Sequence, residues 1–210
     1  MKVVPAILAK NYTDFLKQFR FFEPHFDLVQ LDFMDGKFVA NKTFKCFKRI
    51  GKIRTSVGFE LHLMVKKPLL AIRKWSKNPK VKRIIFHYEA VKPSEIENLI
   101  DQIKQRGIKA GIALNPKTSV NDIKPFLSQL DYVLLMAVNP GFGGQKLNPV
   151  VYRKIRALRK LDKKIPIGVD GGINDQNANK LIRAGATNLN VAGYLLHSSD
   201  IKLSLKKLSF

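Results

Sequence analysis

Eight short runs of β-branched and apolar residues punctuate the chain: Val3 to Leu8, Leu28 to Phe33, Val57 to Met64, Arg83 to Tyr88, Ile108 to Leu114, Tyr132 to Val138, Ile165 to Asp170 and Thr187 to Ala192. Each is close to continuously hydrophobic instead of alternating, the pattern required of parallel strands buried on both faces. The stretches between them carry helical spacing. Over Pro93 to Ile103, the residues Ile96, Leu99, Ile100 and Ile103 form one stripe, and Ser94 is expected to cap that helix. Gly107 and Gly185 fall between a helix end and the next strand, where the chain must leave the helix in a left-handed conformation. A repeating strand–helix unit with eight strands predicts an α/β fold, a (β/α)8 TIM barrel formed by residues 1–210 as one domain. No glycine-rich dinucleotide fingerprint follows the first strand, which disfavours an open doubly wound sheet.

Composition narrows the class. The 210 residues are 45% hydrophobic and 26% charged, as in globular proteins, and no linker or low-complexity tract divides them. Tyr132 to Val138, the longest clean apolar run, is about a third of the roughly 20 residues that a membrane-crossing helix needs. The apolar run after Met1 is too short for a signal peptide, so a cytoplasmic location is expected. Cys46 is the only cysteine, which excludes an intrachain disulfide or a cysteine metal cluster. The formal charge is +22, and between Lys42 and Arg83 fourteen Lys and Arg face one acid, Glu60. Such a flank can serve nucleic acid or an acidic membrane through counterion release. The cations are mostly lysines spread over several helices without a nucleic-acid motif, so the reading preferred is a solvated surface, with neither membrane nor nucleic acid as partner. Its positive field would draw in a small anion.

The residues that end strands carry the candidate chemistry, because a barrel of this kind places its active site at the C-terminal face. Side chains two apart on a strand share a face, so Gln30, Asp32 and Met34 are expected to point inward, with Leu31 and Phe33 outward. The same arithmetic aims His62 and Met64 into the barrel mouth, and the seventh strand delivers Asp170. A buried carboxylate without a cation or donor is costly, so two inward aspartates and a histidine imply pairing, a metal, or both. A phosphate site is suggested separately by three neighbouring glycine loops. They are Asn139 to Gln145 with Gly141, Phe142, Gly143 and Gly144, then Gly171 and Gly172, then Gly193 with Tyr194. Glycines let backbone N–H groups converge on an anion.

Leu31-Asp32-Phe33-Met34-Asp35-Gly36 with Phe38-Val39, His62-Leu63-Met64-Val65, Leu114-Asn115-Pro116, Met136 to Gln145 and Val169-Asp170-Gly171-Gly172 together resemble, in order and spacing, the motifs of ribulose-phosphate 3-epimerases. The resemblance implies a ribulose-phosphate-binding TIM barrel and interconversion of D-ribulose 5-phosphate and D-xylulose 5-phosphate. On that reading Asp32 and Asp170 move the C3 proton between faces through an enediolate, and Met34, Met64 and Met136 pack around the reacting carbons. It further implies a divalent metal, zinc or alternatively iron, manganese or cobalt, held by Asp32, His62 and Asp170. His62 and the three glycine loops would contact the substrate, in a homo-oligomer. Four positions depart from the family pattern: Ala6 for a serine, Gln30 for a metal-binding histidine, Gly168 for an acid, and Tyr194 for a serine. Gln30 offers the metal only a neutral carbonyl, a poorer ligand than imidazole. Two alternatives stay open: a 3-epimerase for another ketose phosphate such as allulose 6-phosphate, and a non-catalytic sugar-phosphate-binding barrel.

Overall fold

Eight parallel strands pair in sequence order and the first pairs with the last, closing a barrel. The computed structural model describes residues 1–44 and 47–208, and Cys46 lies outside the described residues. The strands are β1 (Lys2–Ile7), β2 (Leu28–Met34), β3 (Gly58–Met64), β4 (Val81–His87), β5 (Lys109–Leu114), β6 (Tyr132–Met136), β7 (Ile167–Asp170) and β8 (Asn188–Val191). Around them lie α1 (Tyr12–Phe22), α2 (Phe47–Gly51), α3 (Pro68–Trp75), α4 (Pro93–Lys104), α5 (Val150–Leu161), α6 (Ala178–Ala184), α7 (Gly193–Leu196) and α8 (Ile201–Leu208). A 3-10 segment, Val120–Gln129, holds Pro125 and takes the place of a helix between β5 and β6. Every run predicted as a strand is one, with ends shifted by one or two residues. No helix among the described residues is long and apolar enough to cross a membrane.

The alternation of side chains across each strand builds two cores. Val29, Leu31 and Phe33 face outward into a large cluster with Phe15, Phe19 and Phe22 of α1 and Ile72 and Trp75 of α3. Ile85, Ala113, Tyr132, Leu134 and Met136 form a separate cluster inside the barrel. Helix α4 buries the predicted stripe of Ile96, Leu99, Ile100 and Ile103. Its start differs from expectation: Lys92 holds the capping position, its N–H donates to Glu95 Oε2 at 2.8 Å, and Ser94 sits within the first turn. Pro93 sets this boundary, because its missing N–H costs nothing at the first helical position. Gly107 and Gly185 take φ of 68° and 118°, the left-handed exits that only glycine adopts without strain.

Register places the polar residues. β2 and β3 run in step, so Gln30 lies beside Glu60, Asp32 beside His62 and Met34 beside Met64. β7 and β8 set Asp170 beside Asn190. Because β1 and β8 close the ring, these two polar pairs of strands face each other across the same interior.

Candidate active site

The predicted triad converges. Asp32, His62 and Asp170 each offer a ligand atom, and these atoms all lie within 4.8 Å of one another. His62 Nδ1 is 3.0 Å from Asp32 Oδ1 and 3.6 Å from Asp170 Oδ2. The imidazole is fully buried, while the two carboxylates keep 12% and 14% of their side-chain surface open, so a small molecule at the mouth can reach them. Met34, Met64 and Met136 are buried at the ends of β2, β3 and β6.

Burial, and then the charge of Asp32, push Asp170 up to about 7. Two carboxylates this close resist ionising together, which favours the protonated form of Asp170. Burial opposes charge on His62, yet the hydrogen bond and charge of Asp32, with Asp170 and Glu60, carry its pKa above the ordinary value. Gln30 joins both acids: its Nε2 donates to Asp32 Oδ1 at 2.9 Å and to Asp170 Oδ2 at 2.6 Å. Its carbonyl is turned away from them and accepts from Asn190 Nδ2 at 2.6 Å.

Behind His62 runs a chain that the sequence motifs did not reveal. His62 Nε2 and His87 Nε2 are 2.9 Å apart, and His87 Nδ1 is 3.2 Å from Glu89 Oε2. The other Glu89 oxygen accepts from the Asn115 N–H at 2.8 Å and from the Thr118 hydroxyl. A carboxylate can only accept, so His87 Nδ1 carries the proton. Burial pushes His87 down to about 4, which leaves it neutral with a lone pair on Nε2. His62 Nε2 must then be the donor between the rings, and His62 presents Nδ1 to the two aspartates. The signal was present in the alternation of strand positions: His87 ends β4 as His62 nears the end of β3.

Two carboxylates and an imidazole with ligand atoms this close are donors of the type that catalytic zinc sites use, so Asp32, His62 and Asp170 fit a divalent metal. Two of the three expected glycine loops also meet. A Cβ on Gly172 would lie 2.4 Å from Leu147 N and 2.8 Å from Gln145 O, so the loops after β6 and β7 touch backbone to backbone. Gln145 Nε2 closes the first loop by donating to the carbonyls of Asn139 and Phe142, both at 2.8 Å. Phe142 stands exposed above it. Gly193 opens α7, and burial with the nearby Asp175 carboxylate raises the Tyr194 phenol. Outside the mouth, a cavity of about 510 Å³ opens on the basic flank between Phe33, Phe47, Leu70, Lys66, Lys67 and Lys74.

Lys154 of α5 buries its amine against the Asn115 carbonyl, and burial lowers its pKa to about 8 despite Glu89 and Asp122. Between that value and the ordinary one near 10.4 the unfolded chain binds more protons at this position than the folded one, so raising the pH favours the folded state. The melting temperature of the wild type relative to Lys154→Met is therefore expected to rise between about pH 8 and pH 10. A gap that stays constant or narrows over that range contradicts a neutralised amine.

The structure first defines a class of fold and site: a closed eight-stranded parallel barrel that gathers two carboxylates and an imidazole near the ends of its strands. The profile of the ribulose-phosphate 3 epimerase family matches residues 2–196. The chain is 35% identical to the ribulose-phosphate 3-epimerase of Bacillus subtilis over 216 residues, covering 99% of this chain and 98% of that protein. It is 38% identical to that of Methanocaldococcus jannaschii over 191 residues, covering 87% and 78%. A chloroplastic ribulose-5-phosphate-3-epimerase of Arabidopsis thaliana is 34% identical, covering 97% and 74%. The chain belongs to the ribulose-phosphate 3-epimerase family and is an enzyme of the epimerase class. In fold alone it also matches a tryptophan synthase α-subunit of Pyrococcus furiosus, with a TM-score of 0.76 at 13% identity over 99% of this chain and 97% of that one.

Proposed function

We propose that the protein interconverts D-ribulose 5-phosphate and D-xylulose 5-phosphate by carrying the C3 proton between two aspartates. The observation that carries this reading is the meeting of Asp32 and Asp170 with His62 at the open end of the barrel. One carboxylate takes the C3 proton as a base and leaves an enediolate. The other, holding a proton, delivers it to the opposite face, and the roles exchange in the reverse direction. Met34, Met64 and Met136 supply apolar packing beside the reacting carbons and keep water from the intermediate.

Asp32, His62 and Asp170 would hold the divalent metal, with zinc first and iron, manganese or cobalt as alternatives. Such an ion, when bound, would supply Lewis-acid polarisation of the carbonyl next to C3. His87 and Glu89 keep His62 in the tautomer that offers Nδ1 to that ion. The substrate phosphate belongs, on this reading, against the loops holding Gly141, Gly143, Gly144, Gly171, Gly172 and Gly193, since glycines let backbone N–H groups approach an anion. A homo-oligomer belongs to this reading on family grounds.

In deuterium oxide, ribulose 5-phosphate is expected to become xylulose 5-phosphate with deuterium at C3, followed by NMR. A hexulose 6-phosphate in the same assay decides the substrate class, since Ala6 and Tyr194 change groups near the mouth. Saturable binding of the ketose phosphates with no exchange at C3 would overturn the enzymatic reading and leave a sugar-phosphate-binding barrel.

A further inference from the structure

Beneath the two aspartates lies a polar network that the proposed reaction does not use. Asn190 Nδ2 donates to Gln30 Oε1 at 2.6 Å and to Glu60 Oε1 at 2.8 Å, and the Tyr132 hydroxyl donates to Asn190 Oδ1 at 3.2 Å. Glu60 is fully buried, Arg83 Nη1 lies 3.2 Å from its other oxygen, and the Arg83 guanidinium sits 3.8 Å over the Tyr132 ring. All these side chains come from different strands and meet inside the barrel below the mouth.

Resting on the function proposed above, we infer that Gln30 is a positioning residue that holds Asp32 and Asp170 together through its amide N–H groups, with Asn190 as the lock on that orientation. The amide is fixed from both ends. Above, two carboxylate oxygens lie within hydrogen-bond reach of the amine, and a carbonyl oxygen placed there would lose both donations and stand against Asp32 acceptor to acceptor. Below, the Asn190 amine faces the Glu60 carboxylate and the Gln30 oxygen together, while its own oxygen is taken by Tyr132. Turning Gln30 to offer its carbonyl to a metal would break hydrogen bonds at both ends and bury unpaired groups.

The same network joins two of the positions where the sequence leaves its family pattern. A Cβ on Gly168 would lie 1.8 Å from Tyr132 Oη, so the glycine makes room for the phenol. The phenol holds Asn190, and Asn190 holds Gln30. Positions 30 and 168 thus act together: the space left at one is what lets the amide at the other be fixed.

The test follows the side-chain amide protons of Gln30 by NMR, assigned by their disappearance in the isosteric Gln30→Met variant. Both protons are expected to exchange with water about tenfold or more slowly than those of an exposed amide, with and without added zinc. Asn190→Leu is expected to remove that protection, and Asn190→Ser serves the same purpose if the leucine variant does not fold. In turnover, Gln30→Met is expected to lower kcat by roughly tenfold to a hundredfold while KM stays close to the wild-type value, since charged carboxylates lose their donors. Zinc releasing the Gln30 protons to fast exchange would overturn the inference, because the carbonyl would then have turned to the metal. An unchanged kcat in Gln30→Met would overturn it as well. A wild type that does not epimerise defeats the proposed reaction instead, and the amide protons still decide the orientation of Gln30.

Discussion

Asp32→Asn and Asp170→Asn are each expected to lower epimerisation by roughly a hundredfold to ten-thousandfold, the range that a positioned acid or base contributes. Asparagine keeps the shape of the side chain but can neither accept the C3 proton nor return it. The binding of a non-reacting sugar phosphate is expected to change far less, because the proposed phosphate contacts are backbone N–H groups of Gly141 to Gly144 and Gly171 to Gly172, which neither substitution removes. Steady-state rates beside a binding isotherm check both halves. A variant that retained most of its rate would remove that aspartate from the proton path.

The second large effect concerns stability. A Cβ at position 168 would sit 1.8 Å from Tyr132 Oη, 2.5 Å from Tyr132 Cζ and 3.0 Å from Leu134 Cδ1. Real contacts do not come this close, and the ring cannot slide far with Arg83 stacked on its face and Asn190 on its hydroxyl. Gly168→Ala is therefore expected to cost about 3 kcal/mol, the upper end for an overpacked core. Tyr132→Leu empties the disputed volume, so the alanine substitution should cost about 1 kcal/mol or less in that background, a coupling that a double-mutant cycle measures. Equal costs in both backgrounds would mean that the two side chains do not compete for one space.

The fold was readable because parallel strands covered on both faces leave continuous apolar runs, and eight of them at βα spacing leave few alternatives. The inward parity of Gln30, Asp32, His62 and Met64 followed from the two-residue repeat alone. The same repeat also points Glu60 inward, two residues before His62, and it places Asn190 on β8 among apolar neighbours. What it does not supply is the partner. Arg83, Tyr132 and Asn190 meet Glu60 only because β3, β4, β6 and β8 bring them to one level of a closed barrel, a relation of angle around an axis and not of spacing along a chain. His87 and Glu89 escaped for a related reason: a histidine ending a strand has many uses until a second ring stands 2.9 Å away. Gln30 was legible as a weak metal ligand only through the family resemblance, and its hydrogen bonds give its amide a different task. Of the many cations behind the +22 charge, Lys37, Lys66, Lys67 and Lys74 line the cavity beside Phe33 and Phe47.

The central claim is that Asp32 and Asp170 work from opposite faces of C3. Hydrogen exchange at C3 in deuterium oxide, measured separately from each epimer in Asp32→Asn and Asp170→Asn, tests this directly. With one base lost, each variant should still exchange the proton of the epimer that faces its remaining carboxylate, and the two variants should select opposite epimers. Exchange from the same epimer in both, or from both epimers in either variant, would contradict a two-base path. Equal loss from both epimers in both variants would contradict it too, assigning these residues to holding the metal alone.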